Sequence, residues 1–460
     1  MTQPRISRRA FVLGATGAGL LASAPGFAGP NTGSNRVGLV GTGIRGTKFW
    51  GRHLLENYGD VVEYAALCDI NPGRLDFAAG VIGADCPRFT DFDRMLEEAD
   101  LDTLIVTTVD STHHEFIVKG LQRGLTVITE KPMTTDEARC QAIIDAAKES
   151  DGRLLVGLNY RYGGIHSRLK ELLKKDEVGR LTSVDFHWYL NTYHGASYFR
   201  RWHGLRNKGG TLLLHKAAHH FDLLNWWIGA DPVEVHAYGG LEKYGANNPF
   251  RGPRCMDCPH AGNCDFFWDM KQDDFLMKLY HANEVHDGYI RDNCLWREEI
   301  DIFDKMAVQI RYANDVQVSY SLTTYSPYEG FRVAFNGLDG RVESWEGVPS
   351  LDAAQVDQSQ LHAQEMSHDS HTKMERRYHE IVTQRNFRAF ERELLPYVRS
   401  GHWGGDRKML DSMFRGIDNR PELGRASGLR EGMMSVLVGI AARKSIDEGR
   451  PVRIDELVTL

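Results

Sequence analysis

Three groups of residues have types and spacing that could do chemistry. The first is Gly41-x-Gly43-x-x-Gly46, entered directly from the apolar run Val37–Val40. The first glycine of such a turn takes the tight bend. The second lets backbone approach a pyrophosphate, and the third lets the following helix pack on the strand. The N–H groups at that helix start, around Ile44, Arg45 and Gly46, would face the phosphates. A second apolar run, Val61–Cys68, ends at Asp69, where a carboxylate can hold the adenosine ribose. That carboxylate favours NAD because it repels a 2′-phosphate, while the nearby Arg74 keeps NADP open. The second group is His215 and His219, which share one face of a helix and reach one cavity. The pair could shuttle a proton near neutral pH; metal binding is the alternative. The third group is Cys255-x2-Cys258-x5-Cys264, with Cys294 further on. A C-x-x-C turn sets two thiolates on one side of a loop, so these four cysteines are expected to hold a structural metal such as zinc. Disulfides and an iron–sulfur cluster are the rival readings, and His260 could replace one ligand.

These groups must be positioned by folded elements. Residues 36 to about 155 alternate short apolar runs (Thr103–Thr108, Thr126–Thr129 and Leu154–Leu158 among them) with helical patterns such as His114–Arg123 and Thr135–Lys148. That is an α/β fold, a Rossmann-type doubly wound parallel sheet over residues 31–155. Its ligand crevice lies at the carboxyl ends of the strands. Thr108 to His113 and Glu130 to Pro132 follow two such ends, so Thr108, His113, Glu130 and Lys131 are expected at the cofactor. From about Tyr160 the pattern becomes long alternating strands, including Leu181–Leu190, Met306–Tyr312 and Phe331–Leu338. Residues 156–460 are expected to form an α+β domain with a large, mostly antiparallel sheet. It would carry the cysteine-rich loop at about 252–296 and a late helix from about Gly428 to Glu448. The polar stretch Gln355–Lys373 reads as a long surface loop.

The chain has 460 residues, 42% of them hydrophobic, which is enough for two domains with real cores. A formal charge of −7 argues against nucleic acid or an anionic membrane surface as the main partner. Of the seven cysteines, Cys68, Cys86 and Cys140 are expected as buried small apolar side chains. Residues 1–30 begin with Ser7-Arg8-Arg9-Ala10-Phe11-Val12-Leu13 and continue as a small, apolar, glycine-rich run. This reads as a twin-arginine export signal, cleaved after Ala24 or Ala28. Its apolar part is too short to span a bilayer. The mature protein is therefore expected in the periplasm or medium, having met the export machinery already folded and with its cofactor inside.

The fingerprint at Gly41, Gly43 and Gly46, the run Thr108-Val109-Asp110-Ser111-Thr112-His113, Glu130-Lys131-Pro132, Asn159-Tyr160-Arg161-Tyr162, and Gly209-Gly210 leading to His219-x-x-Asp222 carry a resemblance. Together they resemble the Gfo/Idh/MocA family of NAD(P)-dependent sugar oxidoreductases over nearly the whole mature chain. The resemblance implies that Lys131 lies beside the substrate hydroxyl and the nicotinamide, and that His219 is the catalytic histidine. His215 stands where the family usually has aspartate. This departure puts an ordinary dehydrogenase in doubt and brings His215 into catalysis or substrate contact. The export signal is similar to that of the family's glucose–fructose type, which holds its cofactor tightly. Arg161 and Tyr162, after the fifth strand, are expected on the substrate side, with Lys216 a further substrate contact. The aromatic segment Tyr189 to His203, with Tyr193, His194, Tyr198, Arg201 and Trp202, suits a sugar.

Three functions compete. The first is hydride transfer to or from a hydroxyl carbon of a sugar, polyol or glycoside. The second is a redox-neutral NAD-dependent glycosidase, similar to another branch of the family: oxidation at C3, elimination of the aglycone, water addition and return of the hydride. The third is a non-catalytic sugar-binding protein with structural NAD. A homo-oligomer is expected from the broad sheet.

Overall fold

The computed structural model describes residues 34–347, 378–398 and 401–460. The export signal and the polar stretch 355–373 lie outside the described residues.

The first domain is a six-stranded parallel sheet in the order β3-β2-β1-β4-β5-β6. Its strands are β1 (Asn35–Val40), β2 (Val62–Cys68), β3 (Arg88–Phe89), β4 (Thr103–Val106), β5 (Thr126–Thr129) and β6 (Arg153–Val156). Helices cover both faces, so the strands read as continuous apolar runs; all of β4 and the last four residues of β1 are buried. The strand order reverses between β1 and β4, which opens the crevice at their carboxyl ends. After β1 the chain enters a π-helical stretch, Arg45–His53, that continues as α1 (Leu54–Tyr58). The helix α2 (Pro72–Ile82) follows β2, its start capped by the Asn71 side chain, which accepts from Arg74 N–H at 2.9 Å.

The second domain is a nine-stranded sheet in the order β14-β13-β12-β11-β7-β10-β9-β8-β15. It contains β7 (Leu181–Asn191), β8 (Pro232–Gly240), β9 (Lys305–Tyr312), β10 (Gln317–Ser326), β11 (Gly330–Gly337), β12 (Gly340–Glu346), β13 (Tyr378–Arg385), β14 (Phe390–Pro396) and β15 (Val452–Arg453). Every pair is antiparallel except β7 with β10. Residues of β9 alternate strictly between exposed and buried, as expected of a sheet with one wet face. Its inner face buries Phe186, Trp188, Tyr320 and Phe331 against the helix Ala217–Ile228.

Between β8 and β9 the chain leaves the sheet for residues 241–304. Buried Asp304 pins the root of this insertion by accepting from the N–H groups of Lys243 (2.6 Å) and Tyr244 (3.1 Å). The insertion then reaches back to the first domain. Met270, Leu276, Leu279 and Tyr280 form a small core against Ile44 and Phe77. Asn71 Nδ2 donates to Asn283 O at 2.9 Å, and Arg74 Nη2 to Asp287 at 2.5 Å.

The late helix, Leu429–Glu448, lies between the domains. Its middle, residues 431–442, is buried on every side. A Cβ on Gly432 would lie 2.7 Å from Val156 Cγ2, and one on Gly439 would lie 2.4 Å from Leu213 O, so bare backbone sets both approaches. Among the described residues no helix is long and apolar enough to cross a membrane.

Candidate active site

A cleft of 2590 Å³ runs between the two domains from the end of β2 to the helix Ala217–Ile228. A single small-molecule pocket is about 300–1,000 Å³, so this cleft has room for a dinucleotide and a second ligand. Gly41, Gly43, Ile44 and Arg45 line one end. Gly41 has φ +91°, and a Cβ there would lie 2.7 Å from the Thr107 carbonyl. A Cβ on Gly46 would lie 2.1 Å from Gly41 O. The turn therefore exists only without side chains, which is the cradle a pyrophosphate needs. Asp69 lines the same end, its carboxylate accepting from Thr42 N–H (2.7 Å) and Asn71 N–H (2.9 Å). Arg74 lies between Asp69 (3.5 Å) and Asp287 (2.5 Å). These residues fit NAD: a 2′-phosphate here would meet two carboxylates, and Arg74 is already paired. The Tyr280 hydroxyl, from the insertion, accepts from Ile44 N–H at 2.9 Å.

The loop after β5 supplies the middle of the cleft. Glu130 is buried, accepting from Arg45 Nε (2.6 Å) and Trp50 Nε1 (2.7 Å). Arg45 also lies 3.6 Å from Asp406. Arg45 and Glu130 are thus a strut behind the glycine turn as well as cleft residues. The ring of His113 spans Pro132 O (2.8 Å) and Thr108 O (3.2 Å), tying together the two strand-end loops. Lys131, joined to Pro132 by a cis peptide bond, reaches into the cleft, where Nζ donates to His215 O at 2.7 Å. Burial, with the neighbouring charges of Lys216 and Arg45, pulls the Lys131 ammonium down to about 8.

His215 and His219 both line the cleft, but they do not share one helix. A short helix, Leu212–His215, stops, and a second, Ala217–Ile228, begins beyond Lys216. The His215 carbonyl, which a continuous helix would give to residue 219, instead accepts from Lys131. The missing aspartate of the pair is supplied from the first domain. Asp110 Oδ2 lies 2.6 Å from His215 Nδ1. Burial raises Asp110 well above the usual carboxylate range and holds His215 well below the usual imidazole range. Both shifts favour the neutral forms, so burial works against an ion pair here and the 2.6 Å contact reads as a hydrogen bond. His219 stacks on Tyr160 with ring centroids 4.1 Å apart, and its buried Nδ1 meets no partner among the described residues. Lys216 Nζ donates to the Tyr160 hydroxyl at 3.1 Å. A half-buried lysine, a hydrogen-bonded Asp–His pair and an imidazole with an open Nδ1 in one cleft can bind a polyhydroxylated ligand and exchange a proton with one of its hydroxyls.

Tyr193, Tyr198, Trp202 and Lys216 line the cleft as expected, whereas Arg161 and Tyr162 do not. The chain makes a 3₁₀ turn at Asn159–Tyr162, which sends Asn159 and Tyr160 to the cleft and the next two residues into the core. Arg161 forms a buried two-pronged pair with Asp222 (2.6 and 2.8 Å). Tyr162 packs beside Met409 and Leu410.

The metal expectation is corrected. Cys255, Cys258, Cys264 and Cys294 do border one small void. However, among the described residues no group of three or more His, Cys, Asp or Glu is placed to hold a metal ion, at these cysteines or at His215 and His219. Arg200 Nη1 donates to Cys255 Sγ at 2.7 Å, so this sulfur is engaged by a guanidinium. The loop is held instead by Arg254, paired with Glu284 (2.7 Å), and by buried Asp292, which accepts from Met256 N–H (2.9 Å). His260 packs on Phe250 and not at the void. All seven cysteines are free thiols. Cys68 and Cys140 are buried, but Cys86 is only half-buried, against expectation.

Residue reading alone did not place Asp110 opposite His215. It also passed over Glu329, His402, Asn159 and Tyr280, all of which line the cleft. Asp110 had a signal, since it lies in a strand-end loop facing the crevice. Glu329 and Tyr280 had none.

The fold is that of a two-domain oxidoreductase with an NAD-binding Rossmann domain. Residues 35–158 match the oxidoreductase family's NAD-binding Rossmann fold, and residues 170–454 its C-terminal alpha/beta domain. YteT of Bacillus subtilis (strain 168) is 32% identical over 438 residues, which span 91% of this chain and 97% of that protein. Inositol 2-dehydrogenase of Salmonella typhimurium is 25% identical over 204 residues, 44% of this chain and 57% of that enzyme. The WlbA dehydrogenase from Bordetella pertussis, solved with NADH and UDP-GlcNAcA, has a similar fold with a TM-score of 0.60 at 19% identity; the match covers 92% of this chain and 99% of that one. The chain belongs to the Gfo/Idh/MocA oxidoreductase family.

Proposed function

We propose that this protein oxidises or reduces a hydroxyl-bearing carbon of a sugar, polyol or glycoside. The observation that carries the reading is Lys131, half-buried where the nucleotide end of the cleft meets the His215–Asp110 pair. Gly41, Gly43, Ile44 and Asp69 would hold NAD, which when bound supplies the hydride acceptor and donor. Lys131 takes the hydroxyl proton and, in the reverse direction, returns it. The His215 carbonyl holds the ammonium in place, while the Asp110–His215 bond fixes the imidazole. His219, with a free ring nitrogen over Tyr160, orients a second hydroxyl. Tyr193, Trp202 and Lys216 supply flat faces and donors for a carbohydrate.

The test is a panel of aldoses, polyols and glycosides with NAD-loaded protein, followed at the nicotinamide absorbance. Substrate-dependent reduction in the native protein and its loss in Lys131→Met support the reading. No absorbance change with any member of the panel overturns it. Redox-neutral cleavage of a glycoside is the second reading, favoured by the further acid–base side chains His194 and Tyr198 in the same cleft. It requires aglycone release with no net gain of NADH.

Export belongs to the same proposal. The paired Arg8-Arg9 before an apolar run supports twin-arginine passage of the folded, NAD-loaded protein to the periplasm or medium. Fractionation of cells expressing an Arg8→Lys, Arg9→Lys variant checks it: the variant should stay in the cytoplasm.

A further inference from the structure

The helix Thr192–Arg200 begins at the end of β7, and its N-cap Asn191 accepts from His194 N–H at 2.7 Å. His194 and Tyr198 are one turn apart on it, and His194 Nε2 lies 2.9 Å from the Tyr198 hydroxyl. The other ring nitrogen, Nδ1, lies 3.0 Å from Glu329 Oε1, just before β11. Glu329 Oε2 in turn accepts from Asn191 N–H at 2.8 Å. All three side chains line the cleft, and the Tyr198 ring packs edge-on to His215 with centroids 5.2 Å apart.

The proton positions follow from the donor inventory. A carboxylate only accepts, so the N–H of a neutral His194 lies on Nδ1, towards Glu329. Nε2 is then an acceptor, and the phenol must donate to it. Burial, with the charges of Lys216 and Arg201, favours neutral His194, which fits this arrangement. The order carboxylate, imidazole, hydroxyl is that of a group whose proton can be drawn inward as another arrives from the cleft.

We propose that Tyr198 is a second acid–base group of this site, with His194 and Glu329 as positioning residues behind it. The proposal rests on the carbohydrate-oxidising reading of the cleft. In the step, the phenolic oxygen forms an O–H bond to a substrate proton while its own O–H breaks and an N–H forms at His194 Nε2. The substrate keeps the electron pair, and Glu329 faces the resulting imidazolium. The reverse step returns the proton. Oxidation of one alcohol releases a single hydroxyl proton, which Lys131 receives. A separate group serves a second position, the acidified C–H beside the new carbonyl.

Two measurements decide this. In the first, NAD-loaded protein is incubated in D₂O with D-glucose, methyl β-D-glucoside and myo-inositol, and the recovered carbohydrate is analysed by mass spectrometry and proton NMR. Native protein is expected to place deuterium on the carbon next to the oxidised one. Tyr198→Phe should lower the ratio of exchange to nicotinamide reduction about 10²-fold or more. Glu329→Gln should lower exchange with KM unchanged, and Glu329→Asp should restore part of it. Reduction without exchange in the native protein, or an unchanged ratio in Tyr198→Phe, overturns the proposal while leaving the oxidoreductase reading intact. The second measurement needs no turnover: ¹⁵N NMR of His194 in NAD-loaded protein. A neutral ring protonated on Nδ1 from pH 5 to 9 is expected. An ordinary titration near pH 6.5, or the Nε2–H form, overturns the relay even if no carbohydrate is oxidised.

Discussion

Lys131 can carry a proton near neutral pH because its surroundings disfavour its charge. Burial dominates, and the ammonium of Lys216 adds to it, bringing Lys131 to about 8. As a base it must be neutral. The rate of carbohydrate oxidation, as kcat/KM, should therefore rise with pH through about 8 and level above it, while reduction, which needs the ammonium, should fall over the same range. Lys216→Met removes one like charge, so the inflection should move upward; pH–rate profiles of the two proteins check this. Arg161 gives a contrasting prediction. It and Asp222 are a buried pair off the cleft, so Arg161→Ala should cost about 3–5 kcal/mol of stability by leaving a carboxylate unpaired. Denaturant unfolding should show the loss while KM for substrate stays unchanged. The two cases also show which residues could be read in the sequence. Lys131 was legible because its place at a strand end fixes where it points. Arg161 was misread because a tight turn, which no periodicity reveals, reverses the faces presented. Asp110 and His215 are 105 positions apart, and only the closed fold brings them to 2.6 Å.

The central strands of both sheets were legible, since burial on one face or two leaves an alternating or continuous apolar pattern, but β3, β12, β13, β14 and β15 were not. The glycine turn was legible too, and its geometry permits no side chain at Gly46. Gly46→Ala would press a methyl group onto the Gly41 carbonyl. It should destabilise by about 1–3 kcal/mol and weaken NAD binding at least tenfold, measured by thermal melting and by nucleotide retained on gel filtration. The break between Leu212–His215 and Ala217–Ile228 was not legible. Residues 212–228 read as one helix, and at the break the His215 carbonyl accepts from the distant Lys131 ammonium. At this break Lys216 donates to Tyr160, and His215, Lys216 and His219 all line the cleft.

At the scale of the molecule, the two-domain plan with a cleft between them could be anticipated, but the role of residues 241–304 could not. Their cysteines suggested a self-contained metal knot. In the fold the segment instead bridges from the root of the second sheet to the first domain, where Tyr280 meets Ile44, Asn283 meets Asn71 and Asp287 meets Arg74. A nucleotide lying along the glycine turn would be walled in by this bridge. Its residence time would then be set by how often the bridge detaches, and not by diffusion from an open groove. Arg74→Ala and Tyr280→Phe should each shorten the half-life of bound NAD several-fold, measured by chase with excess unlabelled nucleotide, while leaving the sheet content unchanged by circular dichroism. If those half-lives are as long as the bridge implies, the coenzyme would be held as a captive prosthetic group and not borrowed from solution. Such an enzyme could keep working in surroundings that contain no free dinucleotide at all.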